Sequence, residues 1–353
     1  MARPHEDEER GRGTRTKRIA VPEHLAPNTE HQNQAGKRVV LKPPSVHPKN
    51  KLNALAGNEW LFFTKSVLRT SYAHVCGHKL RRLQGGNKPP QLMQHIIEFF
   101  TKPGQSVLDP FCGVGGTLLG ASLCGRRATG IELNPRWTAI YRQVCEQEGM
   151  EPQETIDGDC LEVLPALAAA GRVFDFIATD PPYSIALEKT MCDGVYDIQH
   201  RKTDMESFSD SKADLRNLAT FEEFYDAIER AFALTFPLLR PGGYLAVIIR
   251  DSYQGGRYVP ATYQIAERIE RAGYILKGIK IWYATGARVR PYGYPHSYIP
   301  NIIHQNILVF RKEKLALQAA GGMRGSICRR GTRPRLKQQG AAGRNPRRLA
   351  SRL

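Results

Sequence analysis

Two short segments of this 353-residue chain carry residue types that can do chemistry together. The segment Asp180-Pro-Pro-Tyr183 places a carboxylate, two stiff prolines and an aromatic ring directly after an apolar run. The segment Asp109-Pro-Phe-Cys-Gly-Val-Gly-Gly116 follows an earlier apolar run and is rich in glycine. A glycine turn lets the backbone approach a ligand closely. The two segments therefore predict a pocket that brings a nucleoside-like cofactor to a planar ring bearing an amino group.

An amino group attached to such a ring is a poor nucleophile because its lone pair is delocalised into the ring. Asp180 and the carbonyl group of Pro181 are predicted to accept one N–H each, which turns the lone pair towards an electrophile. Proline at 181 and 182 stiffens the backbone and supplies no competing N–H. Tyr183 is predicted to stack on the ring. If the planar ring is a nucleic-acid base, it cannot reach this geometry inside a duplex, so its nucleotide must be flipped out or already unpaired.

In order and spacing, the two segments resemble the amino-methyltransferases that use S-adenosylmethionine to methylate adenine N6 or cytosine N4 in DNA. The resemblance extends over about residues 60–312. It implies an α/β, Rossmann-like class I methyltransferase fold, with a mostly parallel seven-stranded sheet and a C-terminal antiparallel hairpin. It also implies S-adenosylmethionine as the cofactor and DNA as the partner. Because an aspartate opens the second segment, adenine N6 is favoured over cytosine N4.

The resemblance also implies which residues contact the cofactor. Glu132 lies 19 residues after Gly113, where such folds place an acid that binds the ribose hydroxyls. Asp159 is predicted either to accept from the cofactor's adenine amino group or to cap the next helix. Asp109 is predicted either to meet the methionine amino group or to be a structural turn residue. The predicted cofactor-binding residues are Lys88, Asp109, Phe111, Gly113, Gly115, Glu132, Asp159 and Cys160, and the predicted catalytic residues are Asp180, Pro181, Pro182 and Tyr183.

The elements that must position these residues alternate between apolar strands and amphipathic helices, which predicts a parallel sheet covered on both faces. The predicted strands are 106–108, 128–131, 174–178 and 245–249, and 275–283 and 306–310 form the closing hairpin. The predicted helices are 93–100, 115–124, 136–148, one that runs to 169, and 222–239, with Pro241-Gly-Gly243 separating the last helix from its strand.

The net charge of +17 is concentrated in two tails. Residues 1–51 hold 11 Lys and Arg against 6 Asp and Glu, and residues 314–353 hold 11 Lys and Arg and no acid. Such compositions are typical of disordered extensions and also of segments that bind polyanions without specificity. The methyltransferase domain is therefore assigned to residues 52–313. Within it, the polar segment 184–220 is predicted to be either a lid or base-recognition loop, or a plain insertion.

Several other classes of protein are disfavoured. The apolar run Tyr244–Ile249 is too short to span a bilayer, and the charged N-terminus lacks a secretory signal, so a cytoplasmic protein with reduced cysteines is expected. The segment His74-Val-Cys76-Gly-His78 has no second cysteine pair at ligand spacing, so no metal is expected. A dehydrogenase is disfavoured because the turn is not Gly-x-Gly-x-x-Gly, and hydride transfer has no use for Asp180-Pro-Pro-Tyr183.

Two alternatives stay open. The same two motifs in the same order occur in enzymes that methylate guanine N2 in transfer or ribosomal RNA, which usually carry an RNA-binding domain ahead of the catalytic one. The region before Asn53 is short and mostly polar. With no separate recognition domain visible, base recognition would fall to the segment 184–220, the region before Gly104 or the tails. The second alternative, a nucleic-acid-binding protein without transferase activity, is opposed by the intact motifs.

Overall fold

The computed structural model describes residues 45–182, 213–287 and 289–313. It also describes the backbone of two short antiparallel strands, Glu30–Gln32 (β1) and Arg38–Val40 (β2). Tyr183, residues 184–212 of the predicted lid, the C-terminal tail and most of the N-terminal tail lie outside the described residues. Among the helices described, none is both long and apolar enough to cross a membrane.

Strands and helices alternate along most of the remaining chain. The strands are Val67–Arg69 (β3), Ser106–Asp109 (β4), Arg127–Glu132 (β5), Glu154–Asp157 (β6), Phe174–Thr179 (β7), Leu239–Ile249 (β8), Ser252–Gln254 (β9), Arg257–Val259 (β10), Ile275–Tyr283 (β11) and His304–Arg311 (β12). The α-helices are Gly57–Phe63 (α1), His78–Arg81 (α2), Pro90–Phe100 (α3), Gly116–Leu123 (α4), Pro135–Glu148 (α5), Cys160–Ala169 (α6), Phe221–Thr235 (α7) and Ala261–Arg271 (α8). Two short 3-10 helices span Arg82–Gln84 and Leu215–Asn217.

The main sheet has eight strands in the order β3-β11-β12-β8-β7-β4-β5-β6. Strand β12 runs antiparallel to both of its neighbours, while β8, β7, β4, β5 and β6 are parallel to one another. The predicted α/β class with a closing hairpin is confirmed. The predicted number of seven strands is wrong, because β3 pairs in parallel with β11, with Val67 opposite Ile281. A strand of three residues is too short to produce a readable alternation of apolar and polar residues.

Local sequence signals explain several helix boundaries. Helix α5 begins at Pro135, after the side chain of Asn134 accepts a hydrogen bond from the backbone N–H of Arg136. It ends at Glu148 and is capped by Gly149. The φ of Gly149 is 62°, in the left-handed region that glycine adopts without steric cost. Helix α7 begins with a capping box between Thr220 and Glu223.

The predicted end of helix 222–239 and the predicted separation of this helix from its strand are both wrong. Helix α7 ends at Thr235, and β8 already begins at Leu239, so Pro241-Gly-Gly243 lies inside the strand. The register explains how the strand tolerates it, because Leu239 pairs with Phe174 and the next pair joins Tyr244 to Phe176. Between these two pairs β8 has four residues, 240–243, where β7 has one, Asp175. The register of the two strands shifts there, and Gly242 in this stretch has a φ of 79°.

The two faces of the sheet are covered by separate apolar layers. Helices α3, α4 and α5 pack on one face, and α6, α7 and α8 on the other. The central strands β4 and β7 are therefore buried on both sides, which suits the near-continuous apolar runs of a parallel sheet. From β4 the chain winds outward through β5 and β6, and from β7 it winds the other way into β8. The loops that follow β4 and β7 thus meet at the switch point, where open α/β sheets bind their ligands.

Candidate active site

A cavity of about 420 Å³ opens at the carboxyl ends of β4, β5, β6 and β7. Its size lies within the range of small-molecule sites. The loops after β4, β5 and β6 form what we call the cofactor side, and the loop after β7 together with Lys88 forms the amine side. Of the predicted site residues, the cavity is lined by Lys88, Asp109, Phe111, Gly113, Glu132, Asp159, Cys160, Asp180, Pro181 and Pro182.

Asp109 links the two central strands at the floor of the cavity. Its Oδ1 atom accepts from the backbone N–H of Phe111, at 3.0 Å, and from the hydroxyl of Thr179 at the end of β7, at 2.6 Å. Burial raises the pKa of Asp109 to about 6, against the opposing effect of hydrogen bonds from Thr117, Thr179 and Phe111. These contacts show the structural turn role that the sequence left open. A contact with the methionine amino group stays a prediction.

The backbone conformation and the packing of the turn both require glycine. Gly113 and Gly115 have φ values of 52° and 75°, in the left-handed region. A Cβ on Gly113 would lie 2.3 Å from the amide nitrogen of Gln84, and a Cβ on Gly115 would lie 2.1 Å from the ring of Tyr141. The protein's own packing therefore requires glycine at both positions. Gly113 lines the cavity and Gly115 is not among the described lining residues, and a contact of either glycine with the cofactor stays a prediction.

Glu132 stands at the end of β5 and is fixed by two backbone groups. Its Oε2 atom accepts from the N–H of Gly113, at 2.8 Å, and its Oε1 atom accepts from the N–H of Asn134, at 3.0 Å. Burial raises the pKa of Glu132 to about 7, although both hydrogen bonds favour the ionised form. Each carboxylate oxygen has a second lone pair, so the held carboxylate can still accept from two neighbouring hydroxyls. This arrangement fits the predicted ribose contact.

Asp159 and Cys160 lie at the start of α6. Asp159 is the N-cap of this helix, since its Oδ1 atom accepts from the N–H of Leu161 at 2.8 Å. The capping role is therefore shown, and a contact with adenine stays a prediction. Burial raises the pKa of the Cys160 thiol to about 12, so the thiol is neutral. Phe111 lines the cavity and packs against the apolar layer of α6, α7 and α8, and its predicted contact with the cofactor stays a prediction.

The amine side is built around Asp180, which follows β7 directly. Lys88, which comes from the loop before α3, donates to Asp180 Oδ2 and also to the carbonyl of Gly86 at 3.3 Å. The other oxygen, Oδ1, is buried and has no hydrogen-bond partner among the residues described. Burial raises the pKa of Asp180, and the charge of Lys88 lowers it. A buried acceptor without a partner is costly, so Oδ1 marks a place where a ligand N–H fits.

Sequence reasoning missed several residues that line the cavity. Gln84 to Asn87 form the loop that ends in Lys88, and their Gly85-Gly86 pair was the one signal available. The lining also includes residues 213–216 of the segment 184–220, and the role of that segment as a lid, a recognition loop or a plain insertion stays open. Arg250 to Tyr253, after β8, and Tyr292 complete the wall.

The histidine and cysteine segment before α2 packs locally. The rings of His74 and His78 stack with centroids 3.9 Å apart, and Cys76 is buried. The pKa of His78 is lowered by burial first, and then by the nearby charges of His74, Arg82 and Arg81. Within the described part of the chain, no group of three or more His, Cys, Asp or Glu residues is placed to hold a metal ion.

Two family models match parts of this chain that include site residues, and several curated proteins also match parts of it. Residues 19–143 match a family model described as DNA methylase, and residues 93–207 match a model described as conserved hypothetical protein 95. The tRNA (guanine(10)-N2)-dimethyltransferase of Methanothermobacter thermautotrophicus is 32% identical over 150 residues, which cover 41% of this chain and 43% of that protein. The type II methyltransferase M.HindIII of Haemophilus influenzae is 42% identical over 64 residues, 18% of this chain and 20% of its own.

These matches are partial. The chain spans less than half the length of the curated relatives it matches. The DNA methylase model ends at residue 143 and so covers the cofactor turn without Asp180, whereas the second model covers both. Among solved structures, TrmN from Thermus thermophilus aligns with a TM-score of 0.41 at 17% identity over 66% of this chain and 52% of its own, an overlap too loose to bear on function.

Proposed function

We propose that this chain, a relative of the DNA amino-methyltransferases, transfers a methyl group from S-adenosylmethionine to an exocyclic amine of a DNA base. The relationship was predicted from the sequence, and the match to the DNA methylase model and to a type II methyltransferase supports it. S-adenosylmethionine is the cofactor that this relationship implies. Adenine N6 is the favoured acceptor, because an aspartate opens the motif at Asp180. The observation that carries the proposal is the unpartnered Oδ1 of Asp180, which lies in the same cavity as Glu132.

The cavity fits the cofactor at the positions where polar groups are needed. Glu132 would hold the ribose, and the turn from Asp109 to Gly116 would carry the methionine end. When bound, S-adenosylmethionine supplies an electrophilic methyl group on a sulfonium. Because the methyl group is already activated, neither a metal nor a covalent enzyme intermediate is needed for its transfer.

The amine side prepares the nucleophile. Lys88 occupies Oδ2 of Asp180, so Oδ1 is the acceptor that remains for one N–H of the target amine. The carbonyl of Pro181, in a segment that proline stiffens, accepts the other N–H. These two acceptors draw the amine nitrogen out of conjugation and aim its lone pair. The new N–CH3 bond replaces the S–CH3 bond, so S-adenosylhomocysteine leaves and the nitrogen carries one surplus proton. Asp180 Oδ1, which already accepts from this nitrogen, takes up that proton and passes it to solvent.

Lys88 also explains how Asp180 can stay ionised although it is buried. An isolated buried carboxylate would take up a proton and then could not accept from the amine through that oxygen. The ammonium group of Lys88 favours the charged form of Asp180. We therefore assign Lys88 to the amine side, whereas the sequence placed it with the cofactor.

A second candidate function is methylation of guanine N2 in RNA. Two observations favour it: the longest curated match is to a tRNA (guanine(10)-N2)-dimethyltransferase, and the family model that covers both motifs is not the DNA methylase model. Guanine N2 is also an exocyclic amine, so Asp180 and Pro181 would act on it in the same way.

The test separates the two polymers. Purified protein is incubated with methyl-labelled S-adenosylmethionine and, in separate reactions, duplex DNA, single-stranded DNA and total RNA, and the modified nucleosides are identified by mass spectrometry. N6-methyladenine in DNA is the expected product. N2-methylguanine confined to RNA would establish the second candidate instead. Asp180→Asn should remove the product, whereas Asp226→Asn, an exposed acid on α7 outside the cavity, should not.

A further inference from the structure

The loop of residues 284–303, between β11 and β12, exposes aromatic rings next to the cavity, and we call it the tyrosine loop. Tyr294 and Tyr298 are 81% and 86% exposed, the highest values among the exposed large apolar and aromatic side chains of the described residues. Tyr292, in the same loop, lines the cavity. Exposed aromatic rings in the same short loop as a residue of the cavity wall indicate a surface for a ligand larger than the site.

The charge of the tyrosine loop indicates an anionic ligand. Its sequence contains two arginines, one histidine and three tyrosines, and no Asp or Glu. The side chain of Arg290 is exposed at the base of this surface. Interleaved aromatic and basic side chains are the pattern by which proteins bind unpaired nucleic acid, since the rings stack on bases and the cations contact phosphates.

The loop is held in place despite its exposure. The side chain of Asn301 accepts from the backbone N–H of Arg290 and donates to the carbonyl of the same residue, each at 2.8 Å. The turn from Gly293 to Ser297 is closed by two backbone hydrogen bonds to the carbonyl of Gly293, both of 2.8 Å. A fixed loop loses little conformational freedom when a ligand binds to it.

We propose that the tyrosine loop binds the unpaired DNA strand beside the target nucleotide, with Tyr294 and Tyr298 stacking on the neighbouring bases. This rests on the proposed function, because it takes the cavity to be the place of the target base. It assigns substrate binding to a part of the chain that the sequence did not single out for base recognition. The rings would also offset part of the cost of flipping the target out of a duplex.

The test measures binding without transfer. The probe is a labelled single-stranded oligo-dT that carries one adenine with 2-aminopurine beside it, and the protein is held with S-adenosylhomocysteine so that no methyl group moves. The variants are the double change Tyr294→Ala with Tyr298→Ala, the matching double change to Phe, and Tyr263→Ala. Tyr263 is a suitable control because it is 68% exposed on α8 and does not line the cavity.

The Ala pair is expected to weaken DNA binding about a hundredfold and to abolish the quenching of 2-aminopurine, since stacking on an aromatic side chain contributes about tenfold per base and two rings are removed. The Phe pair should retain both signals, and Tyr263→Ala should bind like the unaltered chain. The inference is overturned if the Ala pair binds and quenches normally, if the Phe pair loses as much as the Ala pair, or if the loss occurs with RNA and not with DNA.

The two proposals fail in different ways. If the chain methylates DNA and the Ala pair leaves binding unchanged, the tyrosine loop inference alone is wrong. If DNA binding depends on the rings but no methylated base forms in DNA, the proposed function is wrong and the loop remains a binding surface for DNA.

Discussion

The two sides of the cavity hold their carboxylates by different means. On the cofactor side, both acids accept from backbone N–H groups. Glu132 accepts from Asn134 and from Gly113 in the glycine turn, and Asp159 accepts from Leu161. On the amine side, Asp180 is held by the side chain of Lys88, 92 residues away, and keeps a buried oxygen unpartnered. The cofactor side is thus organised by its own turns before any ligand binds. The amine side keeps an acceptor open, which under the proposed function is the place that the substrate amine would complete.

The strongest test of this difference between the two sides is to remove the carboxylate of Asp180. We expect Asp180→Ala to lower the rate of methyl transfer about a thousandfold, because the amine loses the acceptor that localises its lone pair. Cofactor affinity should stay nearly unchanged, since the cofactor side does not depend on Asp180. Single-turnover transfer and calorimetric binding of S-adenosylmethionine test the two halves separately. A variant that still transfers would remove Asp180 from the mechanism.

The converse change is made at Glu132. Glu132→Gln should weaken S-adenosylmethionine binding about a hundredfold, because charge-assisted hydrogen bonds to two hydroxyls are each of the order of 1.5–3 kcal/mol. The matched control is Glu154→Gln, an acid on β6 that pairs with Arg172 outside the cavity. Calorimetry on both variants is the measurement. Equal affinity in the two would show that the ribose contact lies elsewhere.

This difference between the sides also explains what the sequence could predict. Glu132 and Asp159 were predicted from their spacing to the glycine turn and from their positions at the end of a strand and the start of a helix, so the order of strand, turn and helix carries the information. The pairing of Lys88 with Asp180 has no such signature. It depends on a contact between the loop before α3 and the end of β7, which exists only after the sheet has formed.

The errors in the fold prediction have the same origin. The helix at 222–239 was extended too far because its apolar pattern continues into Leu238 and Leu239, which are buried as the entry to β8. Packing also constrains Gly115, whose Cβ position is filled by Tyr141 from α5, while its contact with the cofactor stays a prediction. Each signal was real, and tertiary packing decided what it meant.

Lys88 offers a smaller test that sharpens the role of the amine side. Lys88→Met removes the charge that lowers the pKa of Asp180, so this pKa rises further and the carboxylate ionises only at higher pH. We expect transfer at neutral pH to fall about tenfold, with the ascending limb of the pH–rate profile moved to higher pH.

Lys88→Arg, which keeps the charge, should restore much of the profile. A loss of cofactor affinity in Lys88→Met, with the pH limb unmoved, would return Lys88 to the cofactor role that the sequence assigned to it.

The smallest expected effect is on the stability of the ligand-free protein, and its sign follows from the cofactor side. Burial raises the pKa of Glu132 from 4.5 to about 7, so the folded chain retains this proton to a higher pH than the unfolded chain does. The stability contributed by Glu132 is full below pH 4.5 and is lost as the pH rises through about 7. Between these limits the loss is about 3 kcal/mol at most.

Urea unfolding of the unaltered chain and of Glu132→Gln at pH 5 and at pH 8 measures this contribution together with that of Asp109, because the pKa of Glu132 is raised by burial and also by the charge of Asp109. The unaltered chain should lose more stability than the variant between the two values. Bound cofactor should reverse the trend, since its hydroxyls favour the ionised carboxylate. We expect the affinity for the cofactor to rise with pH while the ligand-free protein becomes less stable. Ionised Glu132 would then favour cofactor binding and lower the stability of the ligand-free protein. Parallel pH curves for the two proteins would show that Glu132 carries no buried charge.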